Sequence, residues 1–180
     1  SSLPYDDNLA LTQKVVALAN EYGYGVEAEL GVMPGREDGS QASTGTSNET
    51  LYTDPDLAQS FVRDSGVTAL ACSFGTVHGL YKAEPNLNYN LISTLREKTG
   101  VPIVMHGGSG LTDSEYRECI KRGVAKINYY TYADKASFEA VQNYLAEKPE
   151  TFIFSDLTTI ATKAVQQNLN NLVGILYGKS

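Results

Sequence analysis

Four short β-type runs, each followed by a longer helical pattern, constrain this chain more than any other feature. The runs are Tyr24 to Leu30, Val67 to Phe74, Val101 to Met105 and Val124 to Tyr129. A helical pattern over Asn8–Glu21 precedes the first, with Leu9, Val15, Val16, Leu18 and Ala19 near helical spacing, Asp6 and Asp7 ahead of it, and Gly23 after it. Thr53-Asp54-Pro55 starts a second helix that runs to about Asp64 and stops at Gly66. Asn88 to Thr99 is a third, closed by Gly100, and Thr112-Asp-Ser-Glu115 has capping-box spacing and opens a fourth that ends at Gly123. Further helical patterns cover 132–147 and 155–176. Strands alternating with helices predict βαβ units and a parallel sheet. A complete eight-unit barrel takes about 250 residues, so at 180 residues any barrel pattern is incomplete.

Composition narrows the function classes. With 14 basic against 21 acidic residues, a net charge of −7 and no basic stretch, a nucleic-acid partner is not expected. No apolar run approaches the roughly 18 residues of a membrane span, and the N-terminus is polar and acidic, so neither membrane insertion nor secretion is expected and the cytoplasm is the default. Two cysteines, Cys72 and Cys119, without paired spacing give neither a disulfide framework nor a cysteine zinc site.

The polar residues that stand out fall at strand ends, where α/β proteins of this kind carry their chemistry. Glu27 and Glu29 alternate along the first run and point to one side, followed by Gly31. His78 follows the second, His106 ends the third, and Asn128 ends the fourth. A lone histidine there is as well explained by a structural hydrogen bond as by a ligand. His78 and His106 are the only two in the chain and sit at equivalent ends of neighbouring strands, which favours a metal pair. Zinc in a catalytic site takes three protein ligands, and two histidines leave it one short. The run His106-Gly-Gly-Ser-Gly110 reads equally as a flexible turn or as a backbone cradle for phosphate, with Asn128 and Thr131 near the next helix start adding donors. Gly31 to Leu51 is a long polar stretch, read as a mobile loop over 31–51.

These residues resemble a known family, the class II, zinc-dependent ketose-bisphosphate aldolases, which fold as (β/α)₈ barrels. The resemblance runs through Leu3 to Thr12, Val26 to Gly31, Tyr52 to Pro55, Gly75 to Lys82, Val104 to Gly110 and Lys126 to Asn128. It implies an α/β TIM-barrel fold, with residues 1–180 supplying the C-terminal part, roughly the last four strands and their helices. It further implies reversible cleavage of fructose 1,6-bisphosphate, or tagatose 1,6-bisphosphate, to dihydroxyacetone phosphate and glyceraldehyde 3-phosphate, in a homo-oligomer (dimer or tetramer).

By the same resemblance His78 and His106 are ligands of a catalytic Zn²⁺, and Glu29 belongs to a second divalent position that Glu27 supports. Gly79, Gly107, Gly108, Ser109, Asn128, Tyr129, Tyr130 and Thr131 match the dihydroxyacetone-phosphate site, and Lys82 screens phosphate charge. Val77, Gly79, Gly107 and Ser109 match backbone positions that hold a monovalent cation (Na⁺ or K⁺) in some members. Glu37 matches a loop glutamate that moves a proton during carbon–carbon cleavage. The family's His-x-Asp-His segment, source of the third zinc ligand and the catalytic aspartate, is absent from these 180 residues. Fructose-type members commonly carry Asn-x-Asp-Thr where this chain has Asn128-Tyr129-Tyr130-Thr131, and tagatose-type members also lack that aspartate, so both sugars stay open. A non-catalytic half-barrel, serving as a scaffold or dimerising, is the rival expectation.

Overall fold

A computed structural model describes residues 3–31, 52–79 and 84–178. The elements run α1 (Tyr5–Glu21), β1 (Glu27–Leu30), α2 (Pro55–Ser65), β2 (Ala69–Cys72), α3 (Tyr89–Thr99), β3 (Ile103–Met105), α4 (Asp113–Arg122), β4 (Val124–Ile127), α5 (Thr131–Glu147) and α6 (Phe154–Leu176). Their starts follow from local chemistry. Asp54 accepts hydrogen bonds from the Asp56 and Leu57 N–H groups with Pro55 at the first helical turn, Asn88 caps α3 through the Leu91 N–H, and Thr112 and Glu115 close a reciprocal capping box on α4.

All four strands are parallel and lie in chain order, β1-β2-β3-β4, with a helical crossover between each adjacent pair. This is the four-strand arc of a (β/α) barrel, as the alternation predicted. The strands are shorter than the β-type runs: Val67 and Phe74 are buried but lie outside the paired Ala69–Cys72. Both still belong to the apolar core, which extends beyond the ladder.

The core lies between the sheet and α2, α3 and α4. Leu70, Cys72, Ile103 and Met105 meet Ala58, Phe61, Ile92, Leu95 and Cys119 there, all with no exposed surface. Cys72 and Cys119 form no disulfide, and burial pushes both thiols up to about 12, so they are inert hydrophobes at neutral pH. In α1 the inward positions are Asn8, Thr12 and Val16, whereas Leu11, Val15 and Leu18 are exposed. The apolar spacing found the helix but not its buried face. No helix among the described residues is long and apolar enough to cross a membrane.

On the side opposite the core, cross-strand register aligns Glu29 with Ala71, Ala71 with Val104, and Val104 with Lys126. Small side chains in the middle and charged ones at both ends make a shallow, polar-rimmed trough. A register shift places Ile103 opposite Val124 but Val104 opposite Lys126, leaving Ala125 as an extra residue. Without that bulge Lys126 would point into the core; with it, Ile127 takes the core side instead. Strands about 4.8 Å apart set β1 and β4 roughly 14 Å apart along the sheet. The Lys126 Nζ nevertheless reaches the Glu27 Oε2 at 2.8 Å, because the sheet curls and long side chains cross its concave face.

Candidate active site

The site is built on the concave ends of the strands. His106, just past β3, lies between the two acids of β1, with Nδ1 2.7 Å from Glu29 Oε2 and Nε2 3.2 Å from Glu27 Oε1. The Glu29 hydrogen bond raises the His106 imidazole above its ordinary value, burial opposes this, and Glu27 adds to it. Glu29 is held well below the usual carboxylate range, foremost by the hydrogen bond from His106. Burial acts to raise Glu27, but its hydrogen bonds from Lys126 and His106 bring it below its ordinary value. The imidazole thus sits between two carboxylates that favour its cationic form, an arrangement in which a metal cation can take the place of the proton.

His78 completes the cluster. Its ring stacks on His106 at a centroid distance of 5.9 Å, and ligand atoms of Glu29, His78 and His106 all lie within 4.8 Å of one another. Four-coordinate zinc with bonds near 2.0–2.1 Å holds its donors about 3.3 Å apart, inside the 4.8 Å within which these ligand atoms lie. Two imidazoles and a carboxylate also suit that ion's borderline chemistry. Among the described residues this is the one cluster of its kind. The resemblance divided these residues between two cation positions; the geometry lets one cation engage all three.

Beside the cluster, residues 106–110 pack against the turn that carries His78. Gly107 has φ +63°, and a Cβ added there would sit 2.3 Å from the Val77 carbonyl oxygen, so only glycine permits this approach. Ser109 is buried, and its Oγ accepts the Tyr130 N–H at 3.1 Å. The Gly108 N–H is already given to the Asn128 carbonyl at 3.2 Å, and the Gly108 carbonyl accepts from the Tyr116 hydroxyl. Donors for an anion therefore come from the first turn of α5, starting at Thr131, whose N–H groups have no partner within the helix. The Asn128 Oδ1 accepts from Lys126 at 2.8 Å, which turns the amide NH₂ outward as a donor.

The structure thus brings together Glu29, His78, His106, Val77, Gly79, Gly107, Gly108, Ser109, Asn128 and Thr131 at one end of the sheet. It turns the Tyr129 phenol away, onto Asn168 of α6 at 2.8 Å, and leaves Tyr130 half exposed as the N-cap of α5. Glu37, Lys82 and all of the 31–51 loop except Gly31 lie outside the described residues. Three contributors escaped the sequence reading. Lys126 depends on the β4 bulge; Asn8, whose Nδ2 donates to the Glu29 carbonyl at 2.9 Å, and Thr53 depend on tertiary partners.

Comparison with known proteins bears on the family and the fold. The family model described as fructose-bisphosphate aldolase class-II matches residues 1–178. A Bacillus subtilis (strain 168) protein named probable fructose-bisphosphate aldolase is 40% identical over 149 residues, covering 83% of this chain and 50% of that protein. The crystal structure of the YdjI aldolase from Escherichia coli K12 superposes with a TM-score of 0.79 at 31% identity, over 98% of this chain and 58% of that one. A fructose-bisphosphate aldolase from Campylobacter jejuni shares the fold, with a TM-score of 0.76 at 21% identity, over 98% and 58% of the two chains. The chain spans about half the length of the curated relative it matches.

Proposed function

The chain belongs to the class-II fructose-bisphosphate aldolase family, and on that premise we propose that it forms the C-terminal part of a metal-dependent ketose-bisphosphate aldolase. The reaction is reversible cleavage of fructose 1,6-bisphosphate, or its tagatose epimer, to dihydroxyacetone phosphate and glyceraldehyde 3-phosphate. The C3–C4 bond breaks, the C4 hydroxyl loses its proton to leave an aldehyde, and a proton returns to C3 of the dihydroxyacetone phosphate half.

The clustering of Glu29, His78 and His106 carries this reading. These residues would hold a divalent cation, zinc by its donor chemistry, which when bound supplies Lewis acidity toward the ketone oxygen. Asn128 and the first turn of α5 from Thr131 supply donors to the phosphate end of the ketose, with Gly79, Gly107, Gly108, Ser109, Tyr129 and Tyr130 forming the backbone around it, and so fix its reacting carbons relative to the cation site. Val77, Gly79, Gly107 and Ser109 offer backbone oxygens to a monovalent cation beside that phosphate. Glu37 is the proton-moving group, and Lys82 screens phosphate charge.

The 180-residue chain by itself is assigned weak or no turnover, because it has no His-x-Asp-His segment. The rival reading, a non-catalytic half-barrel that pairs with another chain, is favoured by the exposed Leu11, Val15 and Leu18 beside the edge of β1, which pairs with no described strand on its outer side. Zinc titration against a chromophoric chelator tests the metal centre: the wild-type chain should compete for the ion and His106→Ala should not. Equal zinc content in the two would sink the ligand assignment, and vigorous chelator-sensitive turnover of fructose 1,6-bisphosphate by the wild-type chain would overturn the weak-activity assignment.

A further inference from the structure

Thr53 stands out among the buried polar residues outside the ligand cluster. It is 3% exposed, and the helix-start pattern Thr53-Asp54-Pro55 gives it no local task, since the capping oxygen belongs to Asp54. Its hydroxyl donates to the Leu30 carbonyl at 2.7 Å and accepts the Ser73 N–H at 2.8 Å. Its own N–H donates to the Ser73 carbonyl at 2.8 Å.

These three bonds fall where the ladder between β1 and β2 stops. The last paired residues are Leu30 and Cys72, and the next rung would join Gly31 to Ser73. The Thr53 hydroxyl stands in that rung, bridging the Leu30 carbonyl and the Ser73 N–H, while Gly31 and Ser73 stay side by side, a Cβ on Gly31 lying 3.4 Å from the Ser73 Cβ. Gly31 makes room for it, because a Cβ on Gly31 would lie 2.5 Å from the Thr53 Oγ1 at a φ of +110°. The strand that Thr53 holds on one side carries Glu29, the residue before Leu30. The segment it holds on the other side leads from Ser73 to His78.

Resting on the metal-centre reading above, we propose that Thr53 is a positioning residue for the cation site: its hydroxyl sets the separation between Glu29 and the turn that carries His78. Hydrogen-bonded partners behind a ligand typically change metal affinity by about 10- to 100-fold when removed. Thr53 acts one step further back, through the backbone, and because it spans two ligand-bearing segments its loss lets them drift relative to each other.

The test uses the full chain with Zn²⁺ alone as the probe, in chelator competition at a temperature where circular dichroism shows each variant folded. Thr53→Val keeps the shape without the hydroxyl, and Thr53→Ser and Thr53→Ala form a second pair that differs only in that oxygen. We expect Val and Ala to weaken zinc binding by about 10-fold or more and Ser to stay within about 2-fold of wild type. The visible spectrum of the Co²⁺-substituted chain should shift in Thr53→Val and not in Thr53→Ser. Wild-type zinc affinity in Thr53→Val with a lowered melting temperature would make Thr53 a strut of the fold only and overturn the proposal. Failure of both hydroxyl-free variants to fold would overturn it as well, since the hydroxyl would then serve the fold rather than the site. Wild-type affinity in His106→Ala is a different outcome: it brings down the metal-centre reading itself, and the role of Thr53 with it.

Discussion

In α2 the buried positions are Ala58, Phe61, Val62 and Ser65, so the inward face is mainly apolar; in α1, which packs beside it, they are Asn8, Thr12 and Val16, while Leu11, Val15 and Leu18 face outward. The difference is one of position in the sheet. α2 packs on the sheet near β2, which has strands on both sides, and it buries Ala58, Phe61 and Val62 there, leaving Leu57 alone of its apolar residues exposed. α1 lies beside β1, whose outer edge pairs with no described strand, and there the Asn8 amide takes up the Glu29 carbonyl. Asn8 faces inward because its amide serves the backbone of β1, and the Thr12 hydroxyl in turn donates to the Asn8 Oδ1 at 3.4 Å. Leu11 and Val15 line a cleft of about 410 Å³ with Leu3 and Val26. A similar surplus marks the opposite end of the molecule, where Phe138, Phe152 and Phe154 of the α5–α6 region are more than half exposed.

Three substitutions probe this contrast, in falling order of effect. Phe61→Ala removes a ring with no exposed surface from the middle of the core and should cost about 3–5 kcal/mol in urea unfolding; a loss under about 1 kcal/mol would mean that the middle is as loosely packed as the ends. Gly107→Ala forces a Cβ against the Val77 backbone at a positive φ and should cost about 2–4 kcal/mol. A lowered urea midpoint with unchanged slope would show that the cradle is rigid, and an unchanged midpoint that its two turns separate freely. Val15→Gln, on the exposed stripe of α1, should change stability by no more than about 0.5 kcal/mol. A large loss would mean that this stripe is covered in solution, and the contrast with α2 would fail.

The same contrast explains what the sequence disclosed. Strand–helix alternation and the caps at Asp54, Asn88 and Thr112 are local, and they located every element to within a few residues. The alternation of Glu27 and Glu29, and the positions of His78 and His106 after their strands, were legible because period and strand order alone bring them to one end. What stayed hidden depends on partners far away in sequence. Nothing local marks Asn8 as an inward residue, since its reason is a carbonyl 21 residues on. Thr53 reads as the approach to a helix because its other task lies with Leu30 and Ser73. Lys126 reads as a core-side residue of β4 until the bulge at Ala125 is known.

The pairing of Glu27 with Lys126 joins residues 99 apart, on the first strand and the last. Closing a loop of that length costs on the order of 4 kcal/mol in chain entropy, before any contact offsets it. A single ion pair between side chains 28% and 53% exposed returns a fraction of that. It can therefore close only after three crossovers have docked and the sheet has curled. The acids and the imidazole are 77 and 79 residues apart, so a cation held there, as proposed, would tie together parts of the arc that the chain's own order keeps distant.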